Sequence, residues 1–217
     1  MSAGSSTFPN LRLSNHPLIQ HKVSHLRDEL TDSKIFRELV RELTGLLLYE
    51  ATTDIPVAPY DICTPMEPST GYRVAPDIAF VPILRAGVGM VDAAIDAIPS
   101  ATVYHLGMYR DETTHQPVSY YNKLPASCAA ELIFVLDPML ATGGSAADAI
   151  AALKAWGAPE IRFISIISAP EGVNRLLAQH PEVPVFTAAL DRELNENKFI
   201  LPGLGDAGDR LYGTIPH

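Results

Sequence analysis

Two observations predict an α/β fold with a mostly parallel sheet flanked by helices. Short runs rich in Ile, Val and Phe recur along the chain, and helix-like runs alternate with them. Strands of that kind belong to sheets covered on both faces, and the alternating helices are the covers.

Each element has its own justification. Residues 1–8 read as a mobile tail, small and mostly polar between Ser2 and Thr7. Thr31-Asp32 offers a cap for a helix whose apolar positions Ile35, Leu39, Leu43, Leu46 and Leu47 keep a helical period. Residues 53–76 break into short pieces punctuated by Pro56, Pro59, Pro65, Pro68 and Pro76, and read as a small β excursion. Beyond it, strands are expected at 78–84, 101–106, 131–136, 161–167 and 183–188, with helices at 88–98, 145–156 and 171–179. Two stretches break the alternation. Residues 109–126 are long, polar and aromatic, the composition of a mobile functional loop. Residues 191–214 follow the last strand and carry a Gly-rich turn near their end.

Composition narrows the function. The 217 residues are 47% hydrophobic and 19% charged, ordinary for a soluble globular protein with a sizeable core. A net charge of −9 argues against a general nucleic-acid binder. Cys63 and Cys128 have no metal-ligand spacing and read as reduced thiols of a cytosolic protein. No apolar run reaches membrane-spanning length and no secretory signal is seen.

The most informative stretch is Val135 to Ser145, VLDPMLATGGS. An apolar strand runs into an acid, then a small-residue turn, then a helix start at Ala146-Ala147-Asp148. Such a turn offers backbone N–H groups and the positive end of a helix dipole to an anion. Gly143 and Gly144 allow close approach, and Thr142 and Ser145 add hydroxyl donors. Asp137 would repel a phosphate, so it suits sugar hydroxyls or a metal ion. The expected ligand is a sugar phosphate.

Other motifs weigh differently. Gly203 to Gly208 matches GxGxxG, but only nine residues follow, too few for the βαβ unit of a dinucleotide site. It remains a tight turn carrying Asp206. Arg85, in Pro82-Ile83-Leu84-Arg85-Ala86-Gly87, stands where a buried strand ends and is a candidate phosphate clamp. Arg110 and Lys123 bracket the polar loop as further cations near the anion site. The strand-end loops at 82–87 and 137–144 and the start of 109–126 converge on the carboxyl edge of the sheet, where open parallel sheets bind ligands. His16, His21 and His25 do not read as a metal site, and their segment is not a clear helix. No nucleophile for covalent catalysis is evident.

In these residues the chain resembles the uracil phosphoribosyltransferases. The resemblance is carried by DPMLATGGSA (137–146), and by PILRAG (82–87), YRDE (109–112), YYNKLP (120–125) and PGLGDAGDRLYGT (202–214), which resemble the family's other motifs in the same order. It implies a type I phosphoribosyltransferase-like fold, a single domain over 1–217, with 191–217 as a base-binding hood. It also implies the reaction uracil + 5-phosphoribosyl 1-diphosphate (PRPP) → UMP + diphosphate, with Mg²⁺ as cofactor and no metal cage from the protein. By matching motif, PRPP would be held by Arg85, Arg110, Asp206 and the loop Asp137, Pro138, Met139, Leu140, Ala141, Thr142, Gly143, Gly144 and Ser145. Thr142 to Ser145 would ring the 5-phosphate, Asp137 would meet the ribose hydroxyls, and Arg85 and Arg110 would bind the diphosphate. Ile200, Gly205, Asp206 and Ala207 would line the uracil site, and Asp206, Arg110 and Arg85 would carry catalysis. No covalent intermediate is expected, with inversion at the anomeric carbon. A homodimer or homotetramer, a GTP effector acting allosterically and a cytoplasmic location belong to the same resemblance. Members often carry glycine where this chain has Lys198. The competing readings are a phosphoribosyltransferase for another base and an RNA-binding, pyrimidine-sensing regulator on the same fold.

Overall fold

The computed structural model describes residues 8–110, 117–122 and 124–214. Its centre is a parallel sheet whose strands are β1 (Leu11–Leu13), β4 (Ile78–Pro82), β5 (Thr102–Val103), β8 (Leu132–Leu136), β10 (Glu160–Ser168) and β11 (Val185–Leu190), in the spatial order β1-β11-β10-β8-β4-β5. A short β9 (Met139–Leu140) adds to the carboxyl end of β10. The hairpin β2 (Val57–Cys63) and β3 (Pro68–Val74) is the expected β excursion, with both strands largely exposed.

Successive residues of the central strands enter opposite cores, which is why the runs are continuously apolar. In β8, Leu132, Phe134 and Leu136 pack on one face, and Ile133 and Val135 on the other. The first face is covered by α1 (Pro17–Arg27), α2 (Ser33–Ala51) and α3 (Val91–Ala97), the second by α4 (Gly144–Trp156) and α5 (Pro170–Gln179). Asp32 caps α2 as expected, its carboxylate accepting from the Ile35 N–H at 2.9 Å. None of the helices described is long and apolar enough to cross a membrane.

Four readings are corrected. The histidine segment is a helix, α1: it buries Ile19, Val23 and Leu26 along one stripe, and His16 is its cap, with Nδ1 accepting from the Leu18 N–H. His21 and His25 meet edge to face with centroids 4.6 Å apart. The helix expected at 88–98 begins as a 3₁₀ turn, Ala86–Met90, before α3. The segment expected as a polar loop holds an antiparallel ribbon, β6 (Leu106–Arg110) with β7 (Pro117–Asn122). Residues 111–116 and Lys123 lie outside the described residues. Finally, Phe8 is buried in the second core, while 1–7, the rest of the expected tail, lie outside the described residues.

The C-terminal segment folds back over the carboxyl edge as β12 (Glu193–Leu194), β13 (Ile200–Leu201) and α6 (Ala207–Tyr212). Arginines fasten it. Arg27 forms a two-pronged pair with Asp191, whose side chain is 4% exposed, and donates to the Gly203 carbonyl at 2.7 Å. The Gly203 N–H donates to Asp191 in return, at 2.9 Å. Arg210 donates to the carbonyls of Leu26, Leu204, Asp28 and Thr31, with its guanidinium 4.4 Å over the Phe36 ring.

Removing one partner of a buried pair strands the other charge, so Arg27→Met should cost about 3 kcal/mol of stability. The double variant Arg27→Met/Asp191→Leu should recover part of that loss, and urea unfolding of the two variants checks both expectations.

Candidate active site

The site forms where β4, β8, β10 and β11 end. From β8 the chain passes through Asp137 and is immediately sewn to β10. The Asp137 N–H donates to Ile164, the Pro138 carbonyl accepts from Ile166 and Ile167, and the Leu140 carbonyl accepts from Ala169. Pro138 and Leu140 are buried and back the loop, while Met139 and Ala141 line the cavity above it.

Gly143 then turns the chain with φ 73°, a left-handed conformation that favours glycine, and stands as the cap of α4. A Cβ on Gly143 would lie 2.6 Å from the Gly172 carbonyl oxygen, and one on Gly172 would lie 2.6 Å from that of Leu140 and closer still to that of Ala141. The loop and the first turn of α5 therefore touch backbone to backbone. No side chain caps α4, and the hydroxyls of Thr142 and Ser145 are exposed without a partner among the described residues. A 13-residue helix with its first turn open is a ready anion site.

Arg85 is exposed at the end of the neighbouring loop, which follows β4; its peptide bond with Leu84 is cis. Its guanidinium lies against Gly208, and its carbonyl accepts from the Tyr212 hydroxyl at 3.3 Å. Arg110 ends β6, but its side chain lies outside what the structure describes, as does all of Lys123.

The hood closes the other side. Asp206 caps α6 with one carboxylate oxygen accepting from the Asp209 N–H at 2.9 Å. Gly205, Asp206, Ala207 and Gly208 line a cavity of about 320 Å³ together with Ala86, Met139, Ala141, Asn197, Lys198 and Phe199. Ile200 is buried in the first core and is not part of this lining, although it follows the lining residue Phe199 in the chain. Three motifs that together span over a hundred residues thus share one cavity.

Sequence reasoning missed what holds them there. Glu171, in the first turn of α5, accepts from the Leu194 N–H at 3.0 Å and so ties the hood to the helix that also supports the loop after β8. It also passed over the strain at Lys198, whose φ is 65°. That conformation costs a non-glycine residue about 1–2 kcal/mol. It is held by a closed turn: Asn195 donates to the Phe199 carbonyl, Lys198 N–H to the Asn195 carbonyl, and Phe199 N–H to Asn195 Oδ1.

Asp137 has the most perturbed carboxyl group of the site. Desolvation by burial pushes its pKa up to about 7, only partly opposed by the Met139 N–H that donates to it at 3.3 Å. Among the described residues no cluster of three acidic, histidine or cysteine side chains could cage a metal ion. Mg²⁺ characteristically keeps waters and takes one or two carboxylates plus substrate phosphates, and Asp206 places one carboxylate in the lining of this cavity.

The family model for uracil phosphoribosyltransferase matches residues 13–214. The chain is 56% identical over 202 residues to a uracil phosphoribosyltransferase of Roseiflexus sp., covering 93% of this chain and 97% of that one. It is 54% identical over 205 residues to the enzyme of that name from Streptococcus pneumoniae, covering 94% and 98%. A solved structure of a protein from Aquifex aeolicus superposes with a TM-score of 0.88 at 36% identity, covering 95% of this chain and all of that one. The adenine phosphoribosyltransferase of Trypanosoma brucei shares the fold alone, at a TM-score of 0.59 and 12% identity over 88% of this chain and 87% of that one.

Two predictions follow from this geometry. Gly172→Ala should push the phosphate loop off α5, lowering the melting temperature and weakening phosphate-ligand binding about tenfold or more, read by calorimetry. For Asp137 the folded state holds its proton up to pH 7, whereas the unfolded chain releases it near 3.8. Stability from this group is therefore full below about pH 4 and lost as pH rises to 7. Asp137→Asn should gain stability relative to the parent across that window and keep a constant lead above it, as measured by urea midpoints from pH 4 to 8.5.

Proposed function

The chain belongs to the uracil phosphoribosyltransferase family, and on that premise we propose how its residues turn uracil and PRPP into UMP and diphosphate. The observation that carries the proposal is the single cavity shared by the hood turn, the loop after β8 and the Arg85 loop. An uncapped helix start suited to a phosphate adjoins a base-sized compartment walled by backbone groups.

The 5-phosphate takes the N–H groups of the first turn of α4 and the hydroxyls of Thr142 and Ser145. Asp137 accepts hydrogen bonds from the ribose hydroxyls, which requires its ionised form, so PRPP binding tightens as pH rises through about 7. Arg85 and Arg110 hold the diphosphate. When bound there, Mg²⁺ supplies charge neutralisation to the leaving group. Uracil presents acceptor, donor and acceptor at O2, N3–H and O4. Backbone groups at Ile200 and Gly205 to Ala207 offer the complement in fixed positions, which cytosine, with its donor and acceptor exchanged, leaves unpaired. Asp206 is held by its capping bond with one oxygen still free to meet the ribose. Alignment of N1 with the anomeric carbon by these fixed walls lowers the barrier without a covalent intermediate.

Self-association is part of the proposal. The projecting hairpin exposes Val57, Tyr60, Met66, Tyr72 and Val74, an apolar surface suited to a second copy of this chain. Cytoplasmic location fits two cysteines that are not bridged. A GTP effector enters on the family resemblance alone.

Purified protein with Mg²⁺ should form UMP from uracil and PRPP and should leave cytosine unchanged. Asp206→Ala should lower turnover by about 10²–10³-fold, more than loss of a helix cap would cause. Preference for adenine or guanine in competition assays would overturn the assignment.

A further inference from the structure

We infer that Lys198 is a base-binding cation that stabilises the negative charge uracil carries as N1 gives up its proton. The inference rests on the uracil reading and deepens it.

The charge it answers is dictated by the reaction. The N1–C1′ bond forms as the C1′–O bond to diphosphate breaks, and the electron pair leaves on the diphosphate. The N1 proton passes to water. As it leaves, negative charge spreads onto O2 and O4 of the ring. The compartment that receives the base contains two ionisable side chains among its lining residues, Asp206 and Lys198. Asp206 is an anion and would oppose that charge. Lys198 alone opposes the penalty.

No described residue explains the lysine. Its backbone sits at φ 65°, where glycine would rest without strain, in a turn already closed by three hydrogen bonds from Asn195, Lys198 and Phe199. Its side chain is exposed at the cavity lip, and its ammonium makes no ion pair or hydrogen bond with any described residue. A strained position fixed by its neighbours and ending in an unspent charge is the pattern of a residue kept for a ligand. Arg85 lies beyond the lining of this compartment, which leaves the diphosphate and the base with separate cations.

Steady-state kinetics against pH test the inference, using the full-length enzyme, Lys198→Gly, Lys198→Met and Lys198→Arg. Both neutral variants should lose about tenfold in kcat/KM for uracil at pH 7, and the rise of that parameter with pH should move up by about one unit. The KM for PRPP should stay within about twofold, and Lys198→Arg should restore most of the loss. A uracil with an electron-withdrawing 5-substituent, whose N1 is already acidic, should lose less. Lys198→Gly should melt at a higher temperature, which separates lost charge from a damaged fold. An unchanged uracil profile in both neutral variants, or a loss confined to the KM for PRPP, would overturn the role given to Lys198 while leaving the uracil reading in place. Failure of the parent enzyme to make UMP would overturn both.

Discussion

The loop after β8 and the hood are both fastened to the first turn of α5, and no side chain stands between Gly143 and Gly172 where they meet. The loop can lie flat on that turn because a Cβ on Gly143 would fill the space taken by the Gly172 carbonyl, and one on Gly172 the space taken by those of Leu140 and Ala141. One residue earlier, Glu171 takes the Leu194 N–H and draws the hood to the same point. Close-packed backbone cannot be compressed further, so a shift in either partner is felt at the other. The cavity owes its shape to this shared support.

The far side of the hood is held by charge as well as by the packing of Leu204, Ala207 and Leu211 into the first core. Arg27 and Asp191 satisfy one another and the backbone of Gly203, and Arg210 spends its donors on carbonyls of Leu26, Leu204, Asp28 and Thr31. The Leu26 carbonyl lies in the last turn of α1, where helix geometry leaves oxygens without intrahelical partners, and those of Asp28 and Thr31 lie in the turn before α2. Burial weighs against the Arg210 charge and lowers its pKa, with Asp28 opposing the shift. Such interactions contribute little net stability but are costly to break, so they fix where the hood sits.

Within the cavity the charges are divided by the chemistry each segment faces. The loop after β8 combines an open helix start with a carboxyl group that burial keeps near neutrality, and the Arg85 loop brings a guanidinium to the hood turn. Lys198 stands apart from both, on the only described non-glycine residue with a positive φ.

Much of this was legible in the chain itself. The apolar runs expected as strands at 78–84 and 131–136 announced β4 and β8, buried on both faces, and Asp32 announced the start of α2, because burial and capping act on residues a few positions apart. DPMLATGGS announced a strand, a glycine turn and a helix start for the same local reason, and α4 begins there without a side-chain cap. The helix α1 was hidden because three histidines dilute its apolar stripe of Ile19, Val23 and Leu26, and the ribbon β6–β7 because its composition is that of a loop. The meeting of Gly143 with Gly172, the placement of the GLGDAG turn over Met139 and Ala141, and the arginines that hold it depend on contacts across the fold. Local pattern determined which chemistry each segment of this protein could offer. Only tertiary packing decided that those segments share one cavity, because long-range contacts leave no period in the residues that make them.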